Sequence, residues 1–352
     1  VDPHAAMTAS PLDSPLADSV AVFSYEEIIG DGLYKLPFVR MLRAAYPTAK
    51  ITWITTRKTV YAGRLEPIMT GLIDEFHQDS GIGESVGGVF RPLPFRQRFS
   101  VIIDTQTTLW RTLTMRRMPH DLFVSGSFGF RLSDRKPPPS QIRPSHMVDR
   151  LADLLRLAAG AVPKVATGLR LPGDLTAKAE AALPPGPVYV GLAPGAGKRF
   201  KCWPLDRFVA VAKAQAEQGR VPVFILGPDE LEWLPQLAEA VPTALFPEQD
   251  QSVWGDAFTP LRTIALARRF SAAIANDSGV SHMFGAADIP LLTLFGPTPA
   301  AKFQPRVTVG GAITAQEFGG RDMTDIPVQT VIERVDQLLI HPSDGAHYSK
   351  NC

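Results

Sequence analysis

An α/β protein with two Rossmann-like domains facing a cleft is what this sequence predicts, and three observations carry the expectation. A strand–glycine loop–helix–strand order opens the chain over residues 19–56. The same kind of order begins again at residue 188, after a proline- and glycine-rich stretch from 160 to 187. Within both parts, strand-sized apolar runs alternate with segments whose apolar residues recur every three or four positions, the pattern of parallel β–α–β units. A chain of 352 residues is long enough for two domains with separate cores. The expected divisions are a disordered segment at 1–18, domains at 19–175 and 176–325, and a closing helix and tail at 326–352.

In chain order, Ser19–Tyr25 reads as a buried strand, followed by the loop Glu26–Gly32 and a helix marked by Leu33, Leu36, Val39 and Leu42. Strands follow at Lys50–Thr56, Phe99–Asp104 and Asp121–Ser125, with a basic helix at Leu109–Met118 and loop over 79–98. His146–Ala159 carries a helical stripe through Met147, Leu151, Leu154 and Leu155. The second half reads as strand Val188–Ala193, a Gly-rich turn, helix Leu205–Gln218, strand Val221–Leu226, and helices at Glu230–Ala240 and Pro260–Phe270. Strand Ala272–Ala275, the turn Asn276-Asp277-Ser278-Gly279, a helix through Met283 and Phe284, and strand Leu291–Phe295 complete another β–α–β unit. The last helix, Val328–Ile340, has an apolar face suited to packing back across the interdomain surface.

The composition fits a globular protein, 45% hydrophobic and 20% charged with a net charge of +1, and offers no broad nucleic-acid footprint. Two cysteines, Cys202 and Cys352, make neither a disulfide framework nor a metal site, which leads to the expectation of a reducing cytoplasm. No apolar run approaches the ~20 residues a membrane span needs.

Several residues could carry chemistry. The loop Pro194–Pro204 places Gly195 and Gly197 before Lys198, Arg199 and Lys201, so backbone and positive charge can both approach an anion. It lacks the spacing of a P-loop. Asp277 or Ser278 can cap the helix that follows, whose free N–H groups form an anion site. His282 lies one turn into that helix, as a structural hydrogen-bonding group or as a phosphate or sugar contact. Glu230 can meet a ribose or favour a helix start. Asp31 reads either as the N-cap of the helix from Leu33 onward or as a carboxylate facing the cleft from a strand's C-terminal edge. Asp104, at the end of a strand in the first half, is a candidate for acceptor binding. No Asp-x-Asp triplet and no His/Cys cluster occurs, so no metal site is expected.

Asn276-Asp277-Ser278-Gly279, His282, Ala286, Pro290 and Phe295-Gly296-Pro297-Thr298 resemble the signature of glycosyltransferase family 9, the ADP-heptose:lipopolysaccharide heptosyltransferases. Lys201-Cys202-Trp203-Pro204 is similar to the family's Lys-x-Trp-Pro element, and Gly30-Asp31 with Leu36-Pro37 to its Gly-Asp…Leu-Pro opening. Glu26-Glu27-Ile28-Ile29 departs from the Arg-x-Ser-x-Leu-like approach usual there. The resemblance implies a GT-B fold, with the acceptor bound by the N-terminal half and the nucleotide sugar by the C-terminal half. It implies Asp31 as general base and Lys201 at the donor phosphate or leaving group. Gly195, Gly197, Lys198, Glu230, Asn276, Asp277, Ser278, Gly279 and His282 would surround the donor, an ADP-linked sugar. The expected reaction is inverting transfer, of heptose, to a lipopolysaccharide-core or related glycan acceptor, without metal or other cofactor. A glycolipid acceptor would bring the protein to the cytoplasmic face of the inner membrane. The rival readings are a transferase or epimerase of similar fold using another nucleotide sugar, and a catalytically silent nucleotide-binding protein.

Overall fold

The computed structural model describes residues 17–93, 95–165, 169–255 and 258–340. The expected disorder of the first 16 residues, and the tail from 341 onward, lie outside the described residues. Two five-stranded parallel sheets organise the chain. The first contains β1 (Ser19–Ser24), β2 (Lys50–Thr55), β3 (Glu75–His77), β4 (Phe99–Asp104) and β5 (His120–Ser125), in the order β3-β2-β1-β4-β5. The second contains β6 (Tyr189–Ala193), β7 (Val221–Phe224), β8 (Ala272–Asn276), β9 (Leu291–Phe295) and β10 (Gly310–Thr314), in the order β10-β9-β8-β6-β7. The central strands are buried along almost their whole length, as parallel strands covered on both faces must be.

Both sheets reverse their winding direction once, between β1 and β4 in the first and between β6 and β8 in the second. Parallel α/β sheets open a crevice beyond the strand C-termini at such a reversal. The register there brings Phe23 beside Asp104, and Ala193 beside Ala275. The loops leaving these strands are the ones in which the sequence concentrates its chemistry.

Helix Ile29–Ala45 follows β1 directly. Its buried Leu33, Leu36, Val39 and Leu42 form one stripe, and Pro37 is tolerated within it although it removes one N–H. Helix Met147–Ala159 begins where the His146 ring accepts from Val148 N and stops at Gly160, whose φ of 83° suits glycine. Helix Gly173–Ala182 packs on helix Pro260–Ala267 of the second sheet. The expected division at 175/176 therefore cuts through an element that belongs whole with the C-terminal half. The last helix, Val328–Ile340, buries Val331, Val335 and Leu338 in the core of the second sheet, with Leu192, Phe208 and Ile274. It packs on helix Leu205–Glu217 and on β8 and β9, rather than across the interdomain surface.

Of the four edge strands, β3 and β10 were not expected. Their sequences, Glu-Phe-His and Gly-Gly-Ala-Ile-Thr, carry no apolar run because β3 is short and only half-buried and β10 buries only Ile313, whereas the edge strands β5 and β7 each carry a buried apolar run. The expected helix over 230–240 is a 3₁₀ segment, Pro228–Trp233, that becomes α-helical at Leu234–Ala240.

Candidate active site

The second sheet's crevice is built by the loops after β6 and β8, and one buried amide ties them together. Asn276 has no solvent exposure. Its Oδ1 accepts from Trp203 N at 3.1 Å and its Nδ2 donates to Pro194 O at 2.7 Å. Asn276 therefore positions the Pro194–Pro204 loop and has no surface for a ligand, a correction to its expected place among the donor contacts. Trp203 anchors the other end of the loop. Its ring is buried edge-on against Phe208, and its Nε1 donates to Ile326 O at 3.0 Å.

With both ends pinned, Lys201 projects into the crevice and meets Asp277. The Lys201 Nζ–Asp277 Oδ2 distance is 2.8 Å, and the side chains are 26% and 10% exposed. The expected capping by Asp277 or Ser278 is not what forms. Ser278 is the N-cap residue by position, but its side chain makes no capping bond, and its Oγ is buried without a partner. The carboxylate of Asp277 is turned to Lys201 instead. Helix Gly279–Ala287 thus starts with N–H groups that no side chain caps, and it carries the partial positive charge of a helix N-terminus.

Glu230 lies across the mouth of the Pro194–Gly197 turn. A Cβ built on Gly195 would come within 2.4 Å of its carboxyl group, which gives the physical reason for glycine at 195. Burial pushes the Glu230 carboxyl above the usual range, against a hydrogen bond from the Gly227 backbone that lowers it. Gly197 and Lys198 are exposed, and a Cβ on Gly197 would meet nothing within 4 Å. Arg199 is held away from the crevice by Glu232 and by the Trp233 ring, 4.5 Å from its centroid.

The two halves touch beside this site. A Cβ on Gly30 would lie 3.3 Å from Gly279 Cα, so glycines at both positions let the helix starts approach closely. Asp31 follows Gly30 in the first turn of helix Ile29–Ala45. The N-cap position is Ile28, so Asp31 is not the helix cap. Its carboxylate keeps an exposed edge, yet the surrounding protein withdraws enough water to raise its pKa above the ordinary value. Lys35 opposes that rise, and Glu27 and Glu26 add to it.

His282 packs edge-on against Tyr34 of the other half, with ring centroids 5.6 Å apart. Burial holds its pKa down at about 4, so the ring is neutral at ordinary pH and can offer one N–H or one lone pair. Behind this contact lies a cavity of ≈ 150 Å³ between the halves, lined by Tyr34, Arg40, His146 and His282 among others. His146 Nε2 donates across the halves to Gln304 O at 2.9 Å, and Arg306 pairs with Asp149.

Asp104 is placed differently from expectation. It is wholly buried, accepting from Thr112 Oγ1 at 2.6 Å, Ser125 Oγ at 2.9 Å and Gln106 N at 2.9 Å. Burial pushes its pKa up to about 6 against these bonds. Asp104 frames the loop after β4 and does not line a surface for an acceptor, which corrects the expected contact. The N-terminal half instead offers a pocket of ≈ 50 Å³ over the ends of β4 and β5, lined by Gln106, Arg143 and Arg150. Arg111 stacks 3.6 Å over the Tyr25 ring nearby. No local pattern marks these groups, because Arg111 and Arg150 stand on two separate helices and Arg143 on the loop before the second, and only the fold gathers them. Among the described residues, no group of three or more His, Cys, Asp or Glu side chains is arranged to hold a metal ion. No helix among them is long and apolar enough to cross a membrane.

Residues 95–317 match the profile of glycosyltransferase family 9 (heptosyltransferase). The chain belongs to this family. The match contains the Lys201 loop and the Asp277–His282 turn, and it begins after Asp31. Lipopolysaccharide heptosyltransferase 3 of Escherichia coli K12 is 24% identical over 354 residues, covering 92% of this chain and 98% of that protein. A solved family 9 glycosyltransferase from Veillonella parvula superposes with a TM-score of 0.69 at 20% identity, covering 92% of this chain and 98% of the other. E. coli heptosyltransferase WaaC with ADP gives a TM-score of 0.63 at 16% identity, with coverage of 91% and 99%. The two parallel sheets thus form the GT-B fold, and the family 9 chain is a glycosyltransferase.

Proposed function

We propose that this family 9 glycosyltransferase moves heptose from an ADP-linked donor to a lipopolysaccharide-core acceptor, with inversion at the transferred carbon. The observation that carries this reading is the Lys201–Asp277 pair beside an uncapped helix start, in the crevice where the second sheet reverses. A diphosphate fits that site. The N–H groups from Gly279 onward and the Lys201 ammonium supply donors. Glu230 at the turn suits a ribose hydroxyl. Relatives point to the same donor: one solved neighbour is WaaC with ADP-2-deoxy-2-fluoro heptose.

Asp31 follows Gly30, whose backbone meets Gly279 of the other half, and on this reading its carboxylate serves the acceptor side of the crevice. As general base it would take the proton of an acceptor hydroxyl as that oxygen attacks the anomeric carbon. ADP would leave towards Lys201 and the helix start, where charge develops on the diphosphate and fixed donors stabilise it. A carboxylate with a raised pKa is a stronger base than a solvated one, and activity should rise with pH as Asp31 loses its proton. The arginines over β4 and β5 suit an acidic acceptor such as a phosphorylated or carboxylated core sugar.

On this reading the positive groups at the donor site replace a divalent cation. Transfer from ADP-heptose to a lipopolysaccharide-core fragment is expected to proceed at an unchanged rate in excess EDTA. Abolition by the chelator with recovery on adding Mg²⁺ or Mn²⁺ would show that the leaving diphosphate needs a metal here.

A further inference from the structure

We infer that Glu27 is a positioning residue that holds Lys35 away from Asp31 and so keeps the Asp31 carboxylate free to act as a base. This rests on the assignment of Asp31 proposed above. Lys35 lies four residues after Asp31 on the same helix, the spacing at which Asp and Lys side chains pair. Among the described residues, however, no ion pair reaches Asp31. Lys35 Nζ instead donates to Glu27 Oε1 at 2.8 Å and to Ser24 Oγ at 2.8 Å. The second oxygen of Glu27 accepts from Trp53 Nε1 at 3.3 Å. Both partners are withdrawn from water, Glu27 with its side chain fully covered and Lys35 with 13% left exposed.

This arrangement answers what the divergent Glu26–Ile29 segment does. Glu27 sits in the loop between β1 and the Asp31 helix, and its backbone pairs with the stretch at Thr59. A carboxylate there competes with Asp31 for one ammonium and wins, because it adds hydrogen bonds from Ser24, Thr59 and Trp53. Burial alone would push Glu27 up, and the charge of Lys35 together with those hydrogen bonds brings it below the ordinary value. Were Lys35 to turn to Asp31, its ammonium would occupy the lone pair that must receive the acceptor's proton. It would also weaken Asp31 as a base.

The charges facing Asp31 can be named from each side. Lys35 lowers its pKa, whereas Glu27 and Glu26 raise it. Across the Gly30–Gly279 contact lie the neutral-overall Lys201–Asp277 pair and the neutral His282. Tyr34 and Tyr61 are phenols that burial keeps protonated.

The test compares Glu27→Gln, Glu27→Gln/Lys35→Met and Asp31→Asn in the full chain, using ADP-heptose and a core acceptor across pH 4–9. Glutamine still accepts from Trp53 but gives up the ammonium. Glu27→Gln is expected to move the acidic limb of kcat/KM to lower pH and reduce its plateau by about tenfold. The double variant buries no charge, and it should recover turnover to within about threefold of wild type, because without Lys35 no holder is needed. It also keeps the experiment decisive if Glu27→Gln does not fold. A purely structural pair would lower the melting temperature of Glu27→Gln and move the acidic limb only by the lost Glu27 charge, leaving the plateau in place, which overturns the inference. A double variant without turnover would make Lys35 itself necessary and overturns it equally. Asp31→Asn separates the two levels. If it stays active, the assignment of the base fails. If it is inactive while the Glu27→Gln plateau does not fall, only the role of Glu27 fails.

Discussion

Asp31→Asn is expected to keep the fold and the affinity for ADP while turnover falls by at least about 10²-fold, the low end for loss of a general base. The structure sharpens this expectation. Asp31 sits inside the first helical turn and is not the N-cap, so the amide removes no capping bond. The remaining cost is the loss of a negative charge near a helix start, about 0.3–1 kcal/mol. A neutral amide has nearly the same shape but cannot take the acceptor's proton, so rate and stability should part company. Melting temperature, ADP titration and turnover on one preparation check this. Near-normal turnover would leave the base unassigned.

Lys201→Ala is expected to weaken ADP binding by about 1.5–3 kcal/mol, roughly tenfold to a hundredfold in Kd. The loss has two parts. One charge-assisted contact to the diphosphate disappears, and Asp277, only 10% exposed, is left without its partner beside the incoming anion. Lys201→Arg keeps the charge and should retain most of the affinity. The loop itself should survive both changes, because Trp203 and Asn276 hold it from its other end. Calorimetric titration of ADP into each folded variant gives the answer. Unchanged affinity in Lys201→Ala would move the diphosphate elsewhere.

What the sequence made legible follows from how each residue is held. The paired order of strands and helices was readable because central strands such as Val-Ala-Val-Phe in β1 are buried on both faces and must be apolar throughout. The half-buried strands β3 and β10 were not, since so little of either side-chain set is covered that nothing forces an apolar run. Lys201 and Asp277 each stood out locally, but their pairing joins residues 76 positions apart and is a product of the fold. Asn276 and Asp104 show the opposite limit. Both are polar residues at a strand's C-terminal end, where a side chain facing the crevice and one locked behind it look alike in sequence. The contacts to Trp203 and Pro194, and to Thr112 and Ser125, decide that both are locked. Glu27 was visible only as a departure from the family pattern, and its meaning required the buried partners Lys35 and Trp53.

In the proposed mechanism transfer is a single displacement, with Asp31 on one side of the transferred carbon and the diphosphate site on the other. The anomeric configuration of the product reports that geometry directly. ADP-heptose labelled at the anomeric carbon, transferred to a lipopolysaccharide-core acceptor and read by NMR, is predicted to give a glycoside of inverted configuration. A product of retained configuration, or release of free heptose with no glycoside formed, would contradict the account.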